Sequence, residues 1–412
     1  MARELQRVVI TGIGSVSPYG LGKDALWQGL LYEPPRIKRI TLFDTKDLPV
    51  QIAAEVPNFD GLGFMDAKVA RRTPRFTQFA VAAATEALMD SGLNPNQKEG
   101  VGVFLGTTGG LFTGIDSIQD FLQRGWHHMD PFFITKAGSH MVAARVGSVL
   151  GLRGPSSTVN SACASGLDAL GQAFNVLRLG QADVLLAGGA DAIIEPLAIA
   201  ALARIGALTK THNGDPATAS RPFDRGRDGF VIGEGAGVLT LETLSHAQRR
   251  GAHIYAEVLG IGGSFDAMDD TAPDVHGQLL AMSRALVDAD VNPEQVDGVK
   301  AHGTSTVLND RTETAALKKL LGKRAWQVPV TAPKSKIGHA AAAAGAVETV
   351  GGIGMLTQQV MAPTANLTDP DPECDLDYVT EGARSVSLHI LLLNAFGLGG
   401  QNWSLVLRHW QD

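Results

Sequence analysis

A single cysteine stands in a setting that favours nucleophilic chemistry. Cys163 lies in the stretch VNSACASGLDAL, residues 159–170, where an extended run gives way to a helical one. Small neighbours leave room at the sulfur, and the N–H groups and dipole of the following helix predict a lowered thiol pKa. The same N–H groups would hold an oxyanion once the sulfur is acylated. For an isolated cysteine, a small buried structural residue is the alternative interpretation.

Two histidines and a lysine in the second half of the chain add to this interpretation. His302 lies in KAHGTSTVLND at a predicted strand end, and Lys334 and His339 lie five residues apart in APKSKIGH, with Glu348 on the helix beyond. Together with Cys163 they form a set of groups at strand ends that suits acyl transfer. Neither histidine has an HxxxH or cysteine-paired spacing, so the sequence predicts no metal site.

The elements that must position these side chains follow an α/β pattern in two similar passes. Short β-branched runs alternate with longer amphipathic runs, which predict helices over residues 76–91 and 167–179. We place the boundary between the two halves after residue 250, so that residues 1–250 carry the cysteine and residues 251–412 carry the two histidines. The stretch GIGSVS, residues 12–17, half resembles a dinucleotide fingerprint, but it lacks the third glycine and predicts a turn after the first strand.

Composition excludes several classes of function. The 412 residues are 44% hydrophobic and carry a net charge of −7, which argues against a nucleic-acid partner. No window offers about 20 uninterrupted apolar residues, and the N-terminal stretch lacks the apolar core of a signal peptide, so we expect a cytoplasmic protein without a membrane partner. The two cysteines, Cys163 and Cys374, are expected to be reduced thiols.

Five motifs, in order along the chain, resemble those of one family. SACASG, RPFDRGRDGFVIGEGAG, AHGTST, KSKIGH and NAFGLGGQN are similar to motifs of the β-ketoacyl-[acyl carrier protein] synthases, specifically the type II elongating enzymes with a Cys-His-His triad. The resemblance implies a thiolase-like fold, five αβαβα layers built from two duplicated halves. It also implies a homodimer, or a heterodimer with a related subunit. The implied partner is an acyl carrier protein with phosphopantetheine-linked acyl and malonyl groups, and no cofactor is implied.

The resemblance also assigns roles to individual residues. Cys163 is the implied nucleophile, His302 and His339 the catalytic pair, and Lys334 with Glu348 orders the site. The remaining implied sites are an oxyanion hole of the Cys163 and Leu398 N–H groups, pantetheine contacts from Thr304 and Thr306, an acyl channel lined by Thr108, Phe396 and Leu398, and a carrier-docking surface of Lys68, Arg71, Arg72 and Arg75.

Several positions depart from the family pattern. Leu398 stands where elongating enzymes usually have a phenylalanine gate, and Thr108 stands where an aliphatic residue is common, so both predict a wider and slightly more polar acyl channel. Lys300 replaces a residue that is more often Asn or Glu. His127 and His128 replace Arg or Lys near the docking surface, which favours a dedicated carrier protein.

Three other functions compete with condensation. A thiolase would need a second catalytic cysteine in the C-terminal glycine loop, and Cys374 is instead predicted to be a structural residue in a surface stretch. A chain-length-setting partner subunit of a polyketide ketosynthase would typically lack the nucleophile, whereas Cys163 is present. A cysteine hydrolase would admit water to the acyl-enzyme, which the small residues around Cys163 disfavour.

Overall fold

The structure is a computed structural model that describes residues 5–110 and 112–411. Its strands are β1 (Val8–Ser17), β2 (Gly20–Leu21), β3 (Lys38–Arg39), β4 (Ile52–Ala53), β5 (Gly102–Gly106), β6 (Ser156–Val159), β7 (Val184–Ala192), β8 (Glu234–Thr243), β9 (Ala256–Phe265), β10 (Gly298–Lys300), β11 (Val330–Thr331), β12 (Val360–Met361), β13 (Arg384–Ser385), β14 (Ile390–Gly397) and β15 (Gln401–His409). Its α-helices are α1 (Lys23–Tyr32), α2 (Ala67–Ala70), α3 (Arg75–Asp90), α4 (Ile115–Arg124), α5 (Phe133–Ala137), α6 (Met141–Leu150), α7 (Ser165–Arg178), α8 (Pro196–Arg204), α9 (Leu244–Arg249), α10 (Val275–Asp288), α11 (Val307–Leu321), α12 (Lys334–Ile337) and α13 (Ala344–Gln358).

The two halves of the chain build sheets with the same strand order. The first half runs β6-β5-β7-β8-β1 and the second runs β11-β10-β14-β15-β9. In each half, the first three strands of this order are parallel and the fourth is antiparallel to both of its neighbours. Antiparallel pairing of β1 with β9, from Val8 opposite Val258 to Ile10 opposite Ala256, joins the halves. The repeated order shows a duplicated architecture.

Helices cover both faces of both sheets and make five layers. Helices α3 and α6 pack on the outer face of the first sheet, and α10 packs on the outer face of the second sheet with α11 beside it. Helices α7 and α13 contact strands of both sheets and form the central layer. This is the expected thiolase-like arrangement, and it places the N-terminus of α7 between the two sheets.

The central helix α13 is buried on every side, as its composition requires. Its sequence, AGAVETVGGIGMLTQ, is rich in small and apolar residues, and a helix that is apolar all round belongs between two packed layers. The carboxylate of Glu348 is the one ionisable group on this helix, and it is buried there. A charge in such a layer needs a partner of opposite sign.

The glycines of GIGSVS do not form the predicted turn. Gly12 and Gly14 lie inside β1, which continues to Ser17. A Cβ atom at Gly12 would lie 2.1 Å from the carbonyl oxygen of Ala87, and one at Gly14 would lie 1.9 Å from that of Ala83. Glycine is therefore required because helix α3 packs directly against the strand backbone.

The predicted helices are confirmed with small shifts at their ends, since α3 covers 75–90 and α7 covers 165–178. The boundary between residues 250 and 251 stays a prediction. Within the described residues, no helix is long and apolar enough to cross a membrane.

Candidate active site

Cys163 lies between the end of β6 and the start of α7, where the backbone makes a strained turn. Ala162 has φ of +50°, a left-handed conformation that non-glycine residues seldom adopt. The hydroxyl of Ser165 holds this turn, since it accepts from the N–H of Ser161 at 2.9 Å and donates to the carbonyl of Ala162 at 2.6 Å. A Cβ at Gly397 would lie 2.5 Å from the Ser161 carbonyl oxygen, so only glycine lets β14 approach the cysteine.

The thiol of Cys163 does not have the predicted low pKa. Burial raises its pKa above the ordinary value, and the nearby carboxylate of Asp191 acts in the same direction. The backbone N–H groups of Leu398 and of Cys163 itself, with the charge of Lys334, lower the pKa but do not outweigh burial. The expectation of a lowered pKa is therefore wrong. The two N–H groups are nevertheless directed at the sulfur, which is the arrangement expected of an oxyanion hole.

His302 is held by the backbone of a loop between β10 and α11. Its N–H donates to Glu313 Oε1 at 2.8 Å, and the N–H of Gly303 donates to Oε2 at 2.9 Å. Glu313 is fully buried on α11. Ser305 in this loop has φ of +70°, so the loop is strained where it turns away from the site.

His339 follows the short helix α12, and its backbone is held by hydrogen bonds of the kind that join parallel strands. Its N–H donates to the carbonyl of Val231 at 2.7 Å, and its own carbonyl accepts from the N–H of Gly233 at 2.9 Å. Its ring lies edge-on to that of His302, with centroids 5.4 Å apart. The ring of Phe230 packs against His339 from another side, with centroids 5.0 Å apart. The two predicted histidines therefore form a pair.

Both imidazoles are uncharged at neutral pH. Burial lowers the pKa of His302 and of His339 well below the ordinary value, and the charges of Lys334 and Lys300 lower both further. The Nζ of Lys334 lies 2.7 Å from the carbonyl oxygen of His302 and 3.3 Å from its Nδ1. An ammonium has no lone pair to accept a proton, so Nδ1 is the accepting nitrogen of His302 and the ring proton is on Nε2.

Glu348 pairs with two lysines, one of which the sequence did not identify. Its Oε1 lies 2.6 Å from the Nζ of Lys334, as the resemblance implies, and its Oε2 accepts from the Nζ of Lys300 at 2.6 Å. Lys300 was visible in the sequence only as a departure from the family pattern. Its partner could not be inferred, because Glu348 is 48 residues away on another layer.

One cavity brings together seven of the predicted site residues. Its volume is about 300 Å³, and its walls include Cys163, His302, His339, Thr304, Thr306, Phe396 and Leu398. The hydroxyls of Thr304 and Thr306 lie 2.8 Å apart. The side chain of Leu398 is 49% exposed at the mouth, and Phe396 is buried against His302 with ring centroids 5.7 Å apart.

Thr108 lies outside this cavity. It lines a separate small cavity with Phe76, Phe112 and Asp191. Its hydroxyl donates to Asp191 Oδ2 at 2.6 Å, so the hydroxyl is directed at a buried carboxylate instead of polarising a channel wall. Burial raises the pKa of Asp191 to about 6. The expectation that Thr108 shares one channel with Leu398 and Phe396 is not met in this structure. Asp191, the partner of Thr108, was not predicted from the sequence.

The predicted docking residues divide into two groups. Lys68 and Arg71 are exposed on and just after α2, and the guanidinium of Arg72 stacks 4.2 Å from the ring centroid of Phe132. Arg75 differs from the prediction, because its guanidinium is bound to buried Glu234 by bonds of 2.9 and 2.7 Å. A group committed to an internal carboxylate is not free to bind a carrier.

Two further findings concern Cys374 and metal binding. Cys374 is fully buried in the apolar cluster beneath α11, so the prediction of a surface position is wrong. The stretch around it contains Leu376 and Tyr378, which pack into the same cluster and draw the chain inward. In the part of the chain that the structure describes, no three His, Cys, Asp or Glu side chains are grouped so that they could hold a metal ion.

Comparisons with known proteins match both halves of the chain. Residues 5–247 match the family model "Beta-ketoacyl synthase, N-terminal domain" and residues 255–368 match "Beta-ketoacyl synthase, C-terminal domain". A 3-oxoacyl-[acyl-carrier-protein] synthase 2 of Coxiella burnetii is 42% identical over 409 residues, covering 98% of this chain and 99% of the relative. The protein of the same name from Synechocystis is 41% identical over 413 residues, covering 99% of each.

Solved structures of ketosynthases are also similar to this chain. The ishigamide ketosynthase/chain length factor superposes with a TM-score of 0.93 at 34% identity, covering 99% of this chain and 100% of that one. A type II PKS acyl-carrier protein in complex with its ketosynthase bound to the hexaketide gives a TM-score of 0.89 at 32% identity, with the same coverage.

Proposed function

Because both of its halves match the family models and its full-length relatives are 41–42% identical, the chain belongs to the β-ketoacyl synthase family, and we propose that Cys163, His302 and His339 carry its chemistry. The protein is a carbon–carbon-bond-forming acyltransferase. It condenses an acyl group with a malonyl group, with loss of carbon dioxide, in fatty acid or polyketide synthesis.

The first step transfers the acyl group to Cys163. The sulfur attacks the acyl-pantetheine thioester, a new C–S bond forms, and the bond to the pantetheine sulfur breaks. Since burial raises the pKa of Cys163, the thiol enters the reaction protonated and its proton passes to the departing pantetheine sulfur. The N–H groups of Cys163 and Leu398 hold the negative oxygen of the tetrahedral intermediate. Covalent capture divides one difficult condensation into two easier reactions.

The second step breaks the bond between the malonyl Cα and its carboxylate. Carbon dioxide leaves, and the electron pair is held as an enolate whose oxygen accepts from the two imidazoles. The proton on Nε2 of His302 is available for this bond because Lys334 faces Nδ1. Neutral imidazoles donate hydrogen bonds without giving up the proton, so the carbanion is not quenched. It then attacks the Cys163 thioester, a carbon–carbon bond forms, the C–S bond to Cys163 breaks, and the sulfur leaves as a thiolate that takes up a proton from solvent.

The partner is an acyl carrier protein with phosphopantetheine-linked groups, since a related ketosynthase is bound to such a carrier. We assign the pantetheine arm to the wall formed by Thr304 and Thr306. The protein assembles as a homodimer, or as a heterodimer with a related subunit, as the relative named ketosynthase/chain length factor supports. A cytoplasmic location belongs to the same proposal, and the two free thiols of the described chain suit that compartment.

The observation that carries this proposal is the convergence of Cys163, His302 and His339 on one cavity of about 300 Å³. Substitution of Cys163→Ala should abolish condensation, by about 10⁴-fold or more, while malonyl-thioester decarboxylation continues. His302→Ala and His339→Ala should each lower decarboxylation by about 100- to 1000-fold, because each removes one enolate donor. Both reactions are measured by mass spectrometry of the thioester products.

Equal loss of condensation and decarboxylation in Cys163→Ala would contradict this division of roles. Release of free carboxylic acid by the wild-type protein would instead favour a hydrolase. Activity that appears only with an added related subunit, and that survives Cys163→Ala in this chain, would favour the chain-length-setting partner.

A further inference from the structure

Lys300 is a fully buried cation with no role in the mechanism given above. It ends β10, and its Nζ donates to Glu348 Oε2 at 2.6 Å and to the carbonyl of Asn394. Both partners are acceptors, which suits an ammonium group. Burial lowers the pKa of Lys300, while the charge and hydrogen bond of Glu348 and the charge of Glu313 oppose that shift and favour the ammonium form. A buried charge of this kind is costly unless it is paired, so its presence beside the active site needs an explanation.

The pairing of charges around Glu348 is unequal. One carboxylate accepts a hydrogen bond from Lys300 through Oε2 and forms an ion pair with Lys334 through Oε1, so two positive groups share this negative group. Their positive charge lies beside His302, because Lys334 also reaches the carbonyl oxygen and Nδ1 of that residue. At the low effective dielectric constant of a buried site, an unbalanced charge acts strongly over short distances.

Other charged groups face the histidine pair from the surrounding elements. On α11, Glu313 accepts from the backbone N–H of His302, and Asp310 lies 3.5 Å from the guanidinium of Arg227. On β7, Asp191 faces the cysteine side of the site, where burial raises its pKa to about 6. Asp310 and Asp191 have other partners, whereas the charge of Glu313 also acts on Lys300 and raises the pKa of that lysine.

We infer that Lys300 is a positioning residue: by sharing Glu348 with Lys334 it adds a positive charge beside His302 and His339, which keeps both imidazoles neutral and favours the enolate. The inference rests on the function proposed above. A protonated imidazole would deliver its proton to the carbanion and end the reaction without a new carbon–carbon bond. The positive charge of Lys300 opposes that protonation and also attracts the negative charge that develops on the enolate oxygen.

The test uses variants that remove the charge of Lys300. In Lys300→Gln the amide N–H group can still donate to the Asn394 carbonyl, whereas Lys300→Met removes both the charge and the hydrogen bonds. The rate of condensation, and its ratio to the rate of malonyl-thioester decarboxylation without condensation, are measured from pH 4.5 to 8.5. Both variants should lose activity on the acid side at a pH about one unit higher than the wild type, because the imidazoles protonate more easily.

A double variant separates charge from packing. Lys300→Met combined with Glu348→Gln leaves Lys334 as the one charge of the three, which restores the net charge of +1. Its acid limb should return to the wild-type pH even if the rate stays low. Ser404→Ala is the matched control, because the Ser404 hydroxyl donates to Asn394 Oδ1 at 2.8 Å and its loss changes no charge. The acid limb of this variant should not move.

Coincident normalised pH profiles for the wild type and both Lys300 variants would overturn the inference, whatever the loss in rate. A double variant with an acid limb shifted as far as that of Lys300→Met would also overturn it. A wild-type protein that does not decarboxylate malonyl thioesters would instead contradict the proposed function, so the two failures are distinguishable.

Discussion

Leu398 lies at the mouth of the cavity, next to two glycines with positive φ. Its side chain is half exposed at the mouth, and the residues that follow, Gly399 and Gly400, have φ of +92° and +80°. Glycine at these positions allows a backbone conformation that other residues rarely adopt. The segment therefore can bring a side chain close to Cys163 without strain, and the size of that side chain sets how tightly the mouth is closed.

Leu398→Phe should narrow this entrance. We expect the ratio of kcat/KM for long or branched acyl groups to that for short straight ones to fall about ten-fold, since a few methyl groups in a pocket discriminate by that amount. The measurement is the acyl-chain profile of kcat/KM for both proteins. Leu308→Phe is the control, because Leu308 lines the same cavity from α11 and should affect all chain lengths equally. An unchanged profile, or a shift toward longer chains, would refute the role of Leu398 as a gate.

Individual residues of the site could be predicted where their chemical role requires recognisable neighbours in the sequence. Cys163, His302 and His339 could be recognised because each stands beside small or hydroxylated residues. Asp191 and Glu313 could not be recognised, since a carboxylate that holds backbone N–H groups looks like any other carboxylate in a sequence. The pKa of Cys163 was predicted in the wrong direction, because burial at the centre of five layers cannot be read from local neighbours.

At the scale of elements, α2 and the start of α3 carry basic residues with different roles. Arg71 is exposed after α2, whereas Arg75 at the first turn of α3 binds Glu234, whose side chain is 1% exposed. The two arginines are four residues apart but belong to different helices, since Arg71 follows α2 and Arg75 begins α3. This difference could not be predicted from KVARRTPR, because the sequence does not show which of its arginines faces the core.

The two arginines should therefore respond differently to substitution. Arg71→Glu should raise KM for acyl-carrier substrates about ten-fold while leaving KM for a small acyl-thioester and the stability unchanged, since carrier proteins are acidic. Arg75→Gln should lower the free energy of unfolding by about 2 to 3 kcal/mol, because it leaves Glu234 buried without its cation. Urea unfolding and steady-state kinetics with both substrates test the pair. Equal effects of Arg71→Glu on both substrates would place the docking surface elsewhere.

Elements were predicted well where hydrophobic periodicity is strong. Leu167, Leu170, Phe174 and Leu177 are all buried on α7, as their spacing indicates. The continuation of β1 through Gly12 and Gly14 was not predicted, because glycine in a strand is ordinarily read as a turn. The order of strands across each sheet also has no local signal, since it depends on pairings between segments far apart in the chain.

At the scale of the whole molecule, the two halves meet along β1 and β9, and one buried carboxylate bonds across this junction. Glu257 on β9 accepts from Arg7, just before β1, at 2.6 and 2.7 Å, and is also bonded to Arg408 on β15. Burial raises the pKa of Glu257, but the hydrogen bonds and charges of Arg7 and Arg408 outweigh burial and hold it below its ordinary value. A carboxyl group with a lowered pKa in the folded state stabilises the fold above the pKa of the unfolded chain, and this stabilisation is lost as the pH falls.

Glu257→Gln should therefore weaken the junction at neutral pH. Both arginines are about half exposed, so solvent screening limits the expected loss in unfolding free energy to about 1 to 2 kcal/mol at pH 7. The difference from the wild type should shrink below about pH 4.3, the ordinary value for glutamate, because the unfolded wild-type chain then binds a proton at Glu257 that the folded protein binds less readily. Urea unfolding at pH 7, 5 and 4 measures both effects. Glu294→Gln, at an exposed position, is the control and should not change the stability. A Glu257→Gln deficit that is the same at every pH would show that packing, and not charge, joins the two halves at this position.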